Sequence, residues 1–126
     1  MILGIGIDLV SVPRIRKNIN QFGTKFCEKI LTQSEQTAIP SNPDKAALYV
    51  AGRFAAKEAA VKALGSGFNN GIAPDQIEIL NLSNGQPHAT FLAAAKERAA
   101  DLGVRRCLIS ITHEAEVAAA VMVLED

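Results

Sequence analysis

Apolar positions along this chain change their period several times, and each change marks an element. Ile2-Leu3-Gly4-Ile5-Gly6-Ile7 is an apolar, largely β-branched run spaced by glycine, which predicts a strand over residues 2–7 that ends at Asp8. Ser11-Val12-Pro13 then opens a helix. The serine hydroxyl suits the N-cap, and proline is tolerated in the first turn, where its missing N–H has no helical partner. The helix runs through Arg14, Ile15 and Ile19 towards Phe22 and is interrupted at Gly23. Thr32 followed by Glu35 has the form of a capping box, and Pro40-Ser41-Asn42-Pro43 predicts a loop.

Residues 44–64 carry the longest helical signal. They hold no internal proline, are rich in alanine, and repeat Leu48, Ala51, Ala55, Ala59 and Lys62 at three- or four-residue steps. Their one internal glycine, Gly52, costs about 1 kcal/mol against alanine and so predicts a close packing contact. Gly65-Ser66-Gly67 stops the helix. Ile77, Ile79 and Leu82 then suggest a strand, Asn84-Gly85 a tight turn, and Pro87 to Phe91 the returning strand. Ala93 to Leu102 reads as a second alanine-rich helix closed by Gly103. Arg106 to Thr112 and Val117 to Leu124 make the last strands.

That final strand, Val117-Ala118-Ala119-Ala120-Val121-Met122-Val123-Leu124, does not alternate, which predicts cover on both faces: helices on one, a neighbouring subunit on the other. Helices in the first half and strands in the second give an α+β fold, an antiparallel sheet packed on one long and several shorter helices. With no repeat or linker, residues 1–126 read as one domain.

Composition narrows the function classes. The chain has 126 residues, a formal net charge of zero, no tryptophan and one tyrosine. Charge balance and the lack of an aromatic stacking set argue against nucleic acid and anionic membrane as general partners. Cys27 and Cys107 form no CxxC pattern, as expected of a reduced chain in the cytoplasm. The first residues lack a basic n-region, and no apolar stretch approaches the roughly 20 residues of a membrane span. Abundant alanine leaves few bulky anchors, which favours burial by oligomerisation.

The chemistry-bearing residues are ambiguous one by one. Gly4-Ile5-Gly6 resembles half of a dinucleotide fingerprint, but the third glycine is missing and no helix starts there; glycines inside a strand mark a bulge or a close backbone approach. On the long helix, Phe54, Glu58, Val61, Lys62 and Gly65 share a face. Glu58 and Lys62 are either a surface ion pair worth about 0.3–0.5 kcal/mol or a magnesium ligand with a phosphate-binding lysine. Asp8 either turns the chain or supplies the second carboxylate. His113 ends a strand without HExxH or another metal spacing, and His88 is weaker still. Arg14, Arg16 and Lys17, with Lys25 beyond, form a basic helix that is either solvated or docks an acidic partner.

Taken together, Gly4-Ile5-Gly6-Ile7-Asp8, Gly52-Arg53-Phe54-Ala55-Ala56-Lys57-Glu58-Ala59 and Ser110-Ile111-Thr112-His113 resemble three signatures of the small holo-acyl-carrier-protein synthase type of 4′-phosphopantetheinyl transferase. The resemblance spans nearly the whole chain, and its middle motif is the specific one. It implies a trimer with active sites at subunit interfaces, and transfer of phosphopantetheine from coenzyme A to a serine of apo-acyl carrier protein with release of 3′,5′-ADP. It further implies Asp8 and Glu58 as Mg²⁺ ligands, Lys62 as a phosphate contact, and Arg53, His113 and Lys45 near the nucleotide. Arg14 is implied to meet the acidic carrier protein. The base for the serine proton is first Glu58, directly or through a metal-bound water, and second Asp8 through water, a choice the sequence leaves open. The competing reading is a non-catalytic trimeric module that binds a nucleotide or an acidic partner.

Overall fold

Helix α4 (Pro43–Leu64) is the element around which the rest is laid. Asn42 caps its N-terminus by accepting from the Asp44 and Lys45 amides, and Gly65 ends it in the left-handed region at φ 70°. Alanines, Val50, Val61 and Leu64 are buried around most of its circumference, so layers must cover it on more than one side. The computed structural model describes all 126 residues.

One layer is an antiparallel sheet in the order β1-β5-β4, made of β1 (Ile2–Ser11), β5 (Val117–Glu125) and β4 (Arg106–His113). Ala118, Ala120, Met122 and Leu124 of β5 are buried against the helix side. Strand β1 meets α4 backbone to backbone. A Cβ on Gly4 would lie 2.0 Å from the Ala63 carbonyl oxygen, and one on Gly6 would lie 1.9 Å from that of Ala59. The strand glycines therefore serve a close approach, and the register also shifts between Ile2 and Gly4. Gly52 has the packing role its position predicts: a Cβ there would stand 3.2 Å from Ile111 Cγ2.

The other layer is the hairpin of β2 (Ile77–Asn81) and β3 (Pro87–Phe91), whose Ile77 and Ile79 are fully buried. A 3-10 turn at Pro74–Gln76 leads into it, and α5 (Ala93–Leu102) follows it. Arg98 on α5 donates to the Leu64 carbonyl, tying that helix to the end of α4. Ahead of α4 come α1 (Val12–Phe22), α2 (Thr24–Ile30) and α3 (Gln33–Thr37). Ser11 caps α1, and Thr32 with Glu35 forms the full capping box of α3.

Two features depart from the pattern reading. Strand β1 does not end at Asp8 but continues to Ser11, because the alternation of outward Ile5, Ile7 and Leu9 with inward Gly6, Asp8 and Val10 persists and the ladder to β5 runs on to Ser11↔Val117. Helix α2 gave no sequence signal of its own, being short and set off by the turn at Gly23. Strand β5 packs against the helix side with one face, as its pattern predicts, and within the chain its other face is open. On the other face Ile5, Ile7 and Leu9 are 66%, 67% and 70% exposed, aligned with Val123, Val121 and Ala119, with Leu108 beside Val123.

Candidate active site

The close contact of β1 with α4 builds the first half of the site. Asp8 lies on the helix-facing side of β1, opposite Ala120, and its side chain is mostly buried. Lys62, on the last turn of α4, reaches across to donate to Asp8 Oδ1 at 3.1 Å and to the Ile7 carbonyl at 3.0 Å. The i,i+4 pair between Glu58 and Lys62 is not formed, because the lysine is turned towards the strand. Glu58 is half-buried and lines a cavity of about 320 Å³ together with Asp8, Arg14 and Phe54. Burial pushes the Glu58 carboxyl above its ordinary range; the neighbouring Asp8 charge adds to this, and Lys62 opposes it.

These two carboxylates stand without a third ligating side chain, since no group of three His, Cys, Asp or Glu residues converges anywhere in the structure. Two carboxylates facing one cavity still fit a magnesium ion, which commonly takes one or two and fills its remaining positions with water and phosphate oxygens. Arg14 is exposed at the mouth of this cavity, on α1.

The second half lies between the N-terminal half of α4 and the end of β4. A cavity of about 420 Å³ is lined by Lys45, Tyr49, Arg53, Asn81 and His113, among others. Arg53 is buried, donating from Nε to the Ile79 carbonyl at 3.1 Å and from Nη2 to Asn81 Oδ1 at 3.0 Å. Its guanidinium carbon sits 4.4 Å from the centroid of the Tyr49 ring. Lys45 and His113 are exposed at the rim, His113 at the end of β4 opposite Ala118.

The structure thus brings Asp8, Glu58 and Arg14 to one cavity, with Lys62 bonded to Asp8, and Lys45, Arg53 and His113 to another. The cavities share no residue, and their strands are the two outer ones of the sheet, with β5 between. Tyr49 and Asn81, which hold Arg53, were not found from the sequence. Nor was Lys57, whose ammonium is fully buried and donates to Glu35 Oε1 at 2.7 Å and to the Pro74 and Ile77 carbonyls. Burial pulls its proton affinity down, against the opposing pull of Glu35. A lysine four residues after Arg53, in a stretch otherwise of alanine and phenylalanine, was the available signal.

A family model described as the 4′-phosphopantetheinyl transferase superfamily matches residues 4–121. A holo-[acyl-carrier-protein] synthase from Maridesulfovibrio salexigens is 52% identical over 99% of this chain and 99% of its own. One from Desulfovibrio desulfuricans is 47% identical over 99% and 98%. Among solved structures, the holo-[acyl-carrier-protein] synthase of Neisseria meningitidis superposes with a TM-score of 0.90 at 35% identity, covering 100% of both chains. The Bacillus anthracis enzyme, in complex with CoA (3′,5′-ADP), gives 0.82 at 35% identity over 98% and 96%. That of Helicobacter pylori, in complex with coenzyme A, gives 0.82 at 34% identity over 96% and 99%. No helix of this chain is long and apolar enough to cross a membrane. With its motifs, fold and full-length relatives in agreement, the chain belongs to the 4′-phosphopantetheinyl transferase superfamily, in its holo-[acyl-carrier-protein] synthase branch.

Proposed function

We propose that this chain transfers 4′-phosphopantetheine from coenzyme A to a serine of apo-acyl carrier protein, with magnesium, and releases 3′,5′-ADP. The observation that carries the proposal is the pair Asp8 and Glu58 in one cavity, with Lys62 fastened to Asp8 and Glu58 bonded to no donor of the protein. Asp8 and Glu58 would hold the ion, which supplies positive charge to the pyrophosphate of coenzyme A. Lys62 uses two of its three N–H bonds on the Ile7 carbonyl and Asp8, and its partly exposed ammonium has one left for a phosphate oxygen.

In the reaction the serine oxygen bonds to the phosphorus that bears pantetheine, and the bond from that phosphorus to the bridging oxygen breaks. The electron pair leaves with 3′,5′-ADP. Glu58 accepts the serine proton. It is better placed than Asp8, because Lys62 already occupies an oxygen of Asp8, whereas Glu58 is bonded to no donor of the protein. Arg53, already oriented by Ile79, Asn81 and Tyr49, meets the nucleotide with His113 and Lys45, which suits its 3′-phosphate.

Because those groups line a separate cavity, a neighbouring subunit of a homotrimer would supply them, packed through the open apolar face of the sheet. Arg14, exposed beside Glu58, would receive the acidic carrier protein and deliver its serine to the base. Unpaired Cys27 and Cys107 fit a reducing cytoplasm.

Incubation with coenzyme A, Mg²⁺ and an apo-carrier protein, followed by intact-mass analysis, tests this. The carrier should gain one phosphopantetheine and 3′,5′-ADP should appear in equal amount. An unmodified carrier at every Mg²⁺ concentration rejects transfer and leaves the non-catalytic module.

A further inference from the structure

The groups that fix Arg53 converge on one residue outside the cavity. Glu35, on α3, is fully buried. Its Oε2 accepts the Ile79 amide at 2.7 Å, and Ile79 is the residue whose carbonyl receives Arg53 Nε. Its main-chain carbonyl accepts the Tyr49 hydroxyl at 2.8 Å, and Tyr49 carries the ring beneath the Arg53 guanidinium. Its Oε1 accepts Lys57 Nζ and the Thr32 amide, and Lys57 sits one turn beyond Arg53 on α4. Asn81, the remaining partner of Arg53, is two residues along the same strand as Ile79.

We infer that Glu35 is a positioning residue for the nucleotide half of the site, acting through Arg53. This rests on the assignment of the Arg53 cavity to coenzyme A. Lys57 spends its three N–H bonds on Glu35, Pro74 and Ile77, so the carboxylate joins α3, α4 and β2 at fixed hydrogen-bond lengths. Apolar residues of similar volume could hold the same elements together as stably or more so. What they would lose is direction: a carboxylate accepting on both oxygens sets how far β2 slides along α4. That sliding carries the Ile79 carbonyl and Asn81, and with them the guanidinium.

Glu35→Gln keeps the size but must turn an NH₂ group towards either Lys57 or the Ile79 amide, both donors. Where it folds, we expect KM for coenzyme A to rise about tenfold, with kcat and KM for the carrier little changed. Tyr49→Phe is the milder companion. It removes only the hydroxyl bond to Glu35, keeps the ring, and should raise KM for coenzyme A about threefold. If Glu35→Gln does not fold, Glu35→Asp carries the test, since it keeps the charge but shortens the reach to Lys57 and the Ile79 amide by one methylene and should likewise raise KM for coenzyme A. A thermodynamic cycle with Arg53→Ala then decides the route. If Glu35 acts through Arg53, neither variant raises KM further in the Arg53→Ala background, whereas additive effects overturn the inference. A folded Glu35→Gln with unchanged KM overturns it too, as does an unchanged Glu35→Asp where the first variant is unfolded. If Arg53→Ala itself leaves coenzyme A binding intact, it is the assignment of the cavity that fails, and the inference falls with it.

Discussion

Replacing Gly6 by alanine tests whether the backbone contact of β1 with α4 sets the geometry of the Asp8–Glu58 cavity. The added Cβ would stand 1.9 Å from the Ala59 carbonyl oxygen and 2.8 Å from the Ala63 nitrogen. An ordinary close carbon–oxygen contact is about 3.3 Å, so strand and helix must part by roughly 1.4 Å from the 1.9 Å position. Overpacking typically costs about 1–3 kcal/mol. The obstacle here is helical main chain, which has no rotamer to change, so the upper end applies. At about 4 °C per kcal/mol for a chain of this size, the melting temperature should fall by about 12 °C. The same movement stretches the 3.1 Å Lys62–Asp8 bond beyond hydrogen-bond range. Misplacement on this scale should slow transfer about 100-fold at temperatures where the variant is still folded. Calorimetry and denaturant titration give the stability, and the initial rate of carrier mass gain gives the activity. Adding Ala59→Gly should not rescue the variant, since the clash is with a carbonyl rather than a methyl group. A Gly6→Ala protein within about 0.5 kcal/mol of the parent, or one rescued by Ala59→Gly, would refute the reasoning.

Glu58→Gln should fold and lose at least about 100-fold in transfer rate, the contribution expected of a base. It should also gain stability over the parent as pH rises. The folded state raises the proton affinity of Glu58, so this group favours folding below the ordinary carboxylate range and loses that contribution as pH climbs through the raised value. Urea titrations should therefore show the two proteins converging in acid and the variant ahead at neutral pH; parallel curves would mean that neither burial nor the Asp8 charge penalises the Glu58 carboxylate in the fold. Arg14→Ala should raise KM for the carrier about tenfold at low salt while calorimetric binding of coenzyme A is unchanged, and an equal loss of both would deny it a docking role. Ile7→Asp, placed on the open sheet face beside Val121, should turn an assembled protein into monomers in sedimentation velocity, given about 1.5–3 kcal/mol for each buried large aliphatic side chain.

The elements were legible where a local physical reason fixes them. The N-cap at Ser11, the capping box from Thr32 to Glu35 and the glycine stop at Gly65 each involve residues within one turn, and the structure has all three. Long-range consequences were less legible. Alternation around Asp8 shows which way the side chain points, but not that Lys62 turns from its helical neighbour Glu58 to a strand 54 residues away. The capping box fixed the local job of Glu35 while its carboxylate also serves Lys57 and Ile79, at separations of 22 and 44 residues. Such bonds depend on how α4 is laid against β2, and spacing carries no record of that. The uniform apolarity of β5 was legible in a different sense. It announced a second cover for the sheet, and the fold leaves that face open within one chain.

The open face and the divided site can be tested as one problem by mixing defective subunits. In a closed ring each interface uses different surfaces of its two partners. If an active site takes Asp8 and Glu58 from one subunit and Arg53 from the next, Glu58→Gln and Arg53→Ala disable opposite halves. After the two variants are unfolded together and refolded at equal concentration, about one interface in four should join an intact Glu58 half to an intact Arg53 half, since each side is drawn independently with even odds. Assayed with coenzyme A held below the KM of Arg53→Ala, the mixture should therefore recover about a quarter of the parent rate. Each variant refolded alone should stay near its own low value. The Asp8 and His113 strands are separated by β5 in every chain, so restored activity would have its origin in contacts between chains. Assembled mixtures that show only the average of the two separate variants would mean that each chain completes its own site. The open sheet face would then need another explanation.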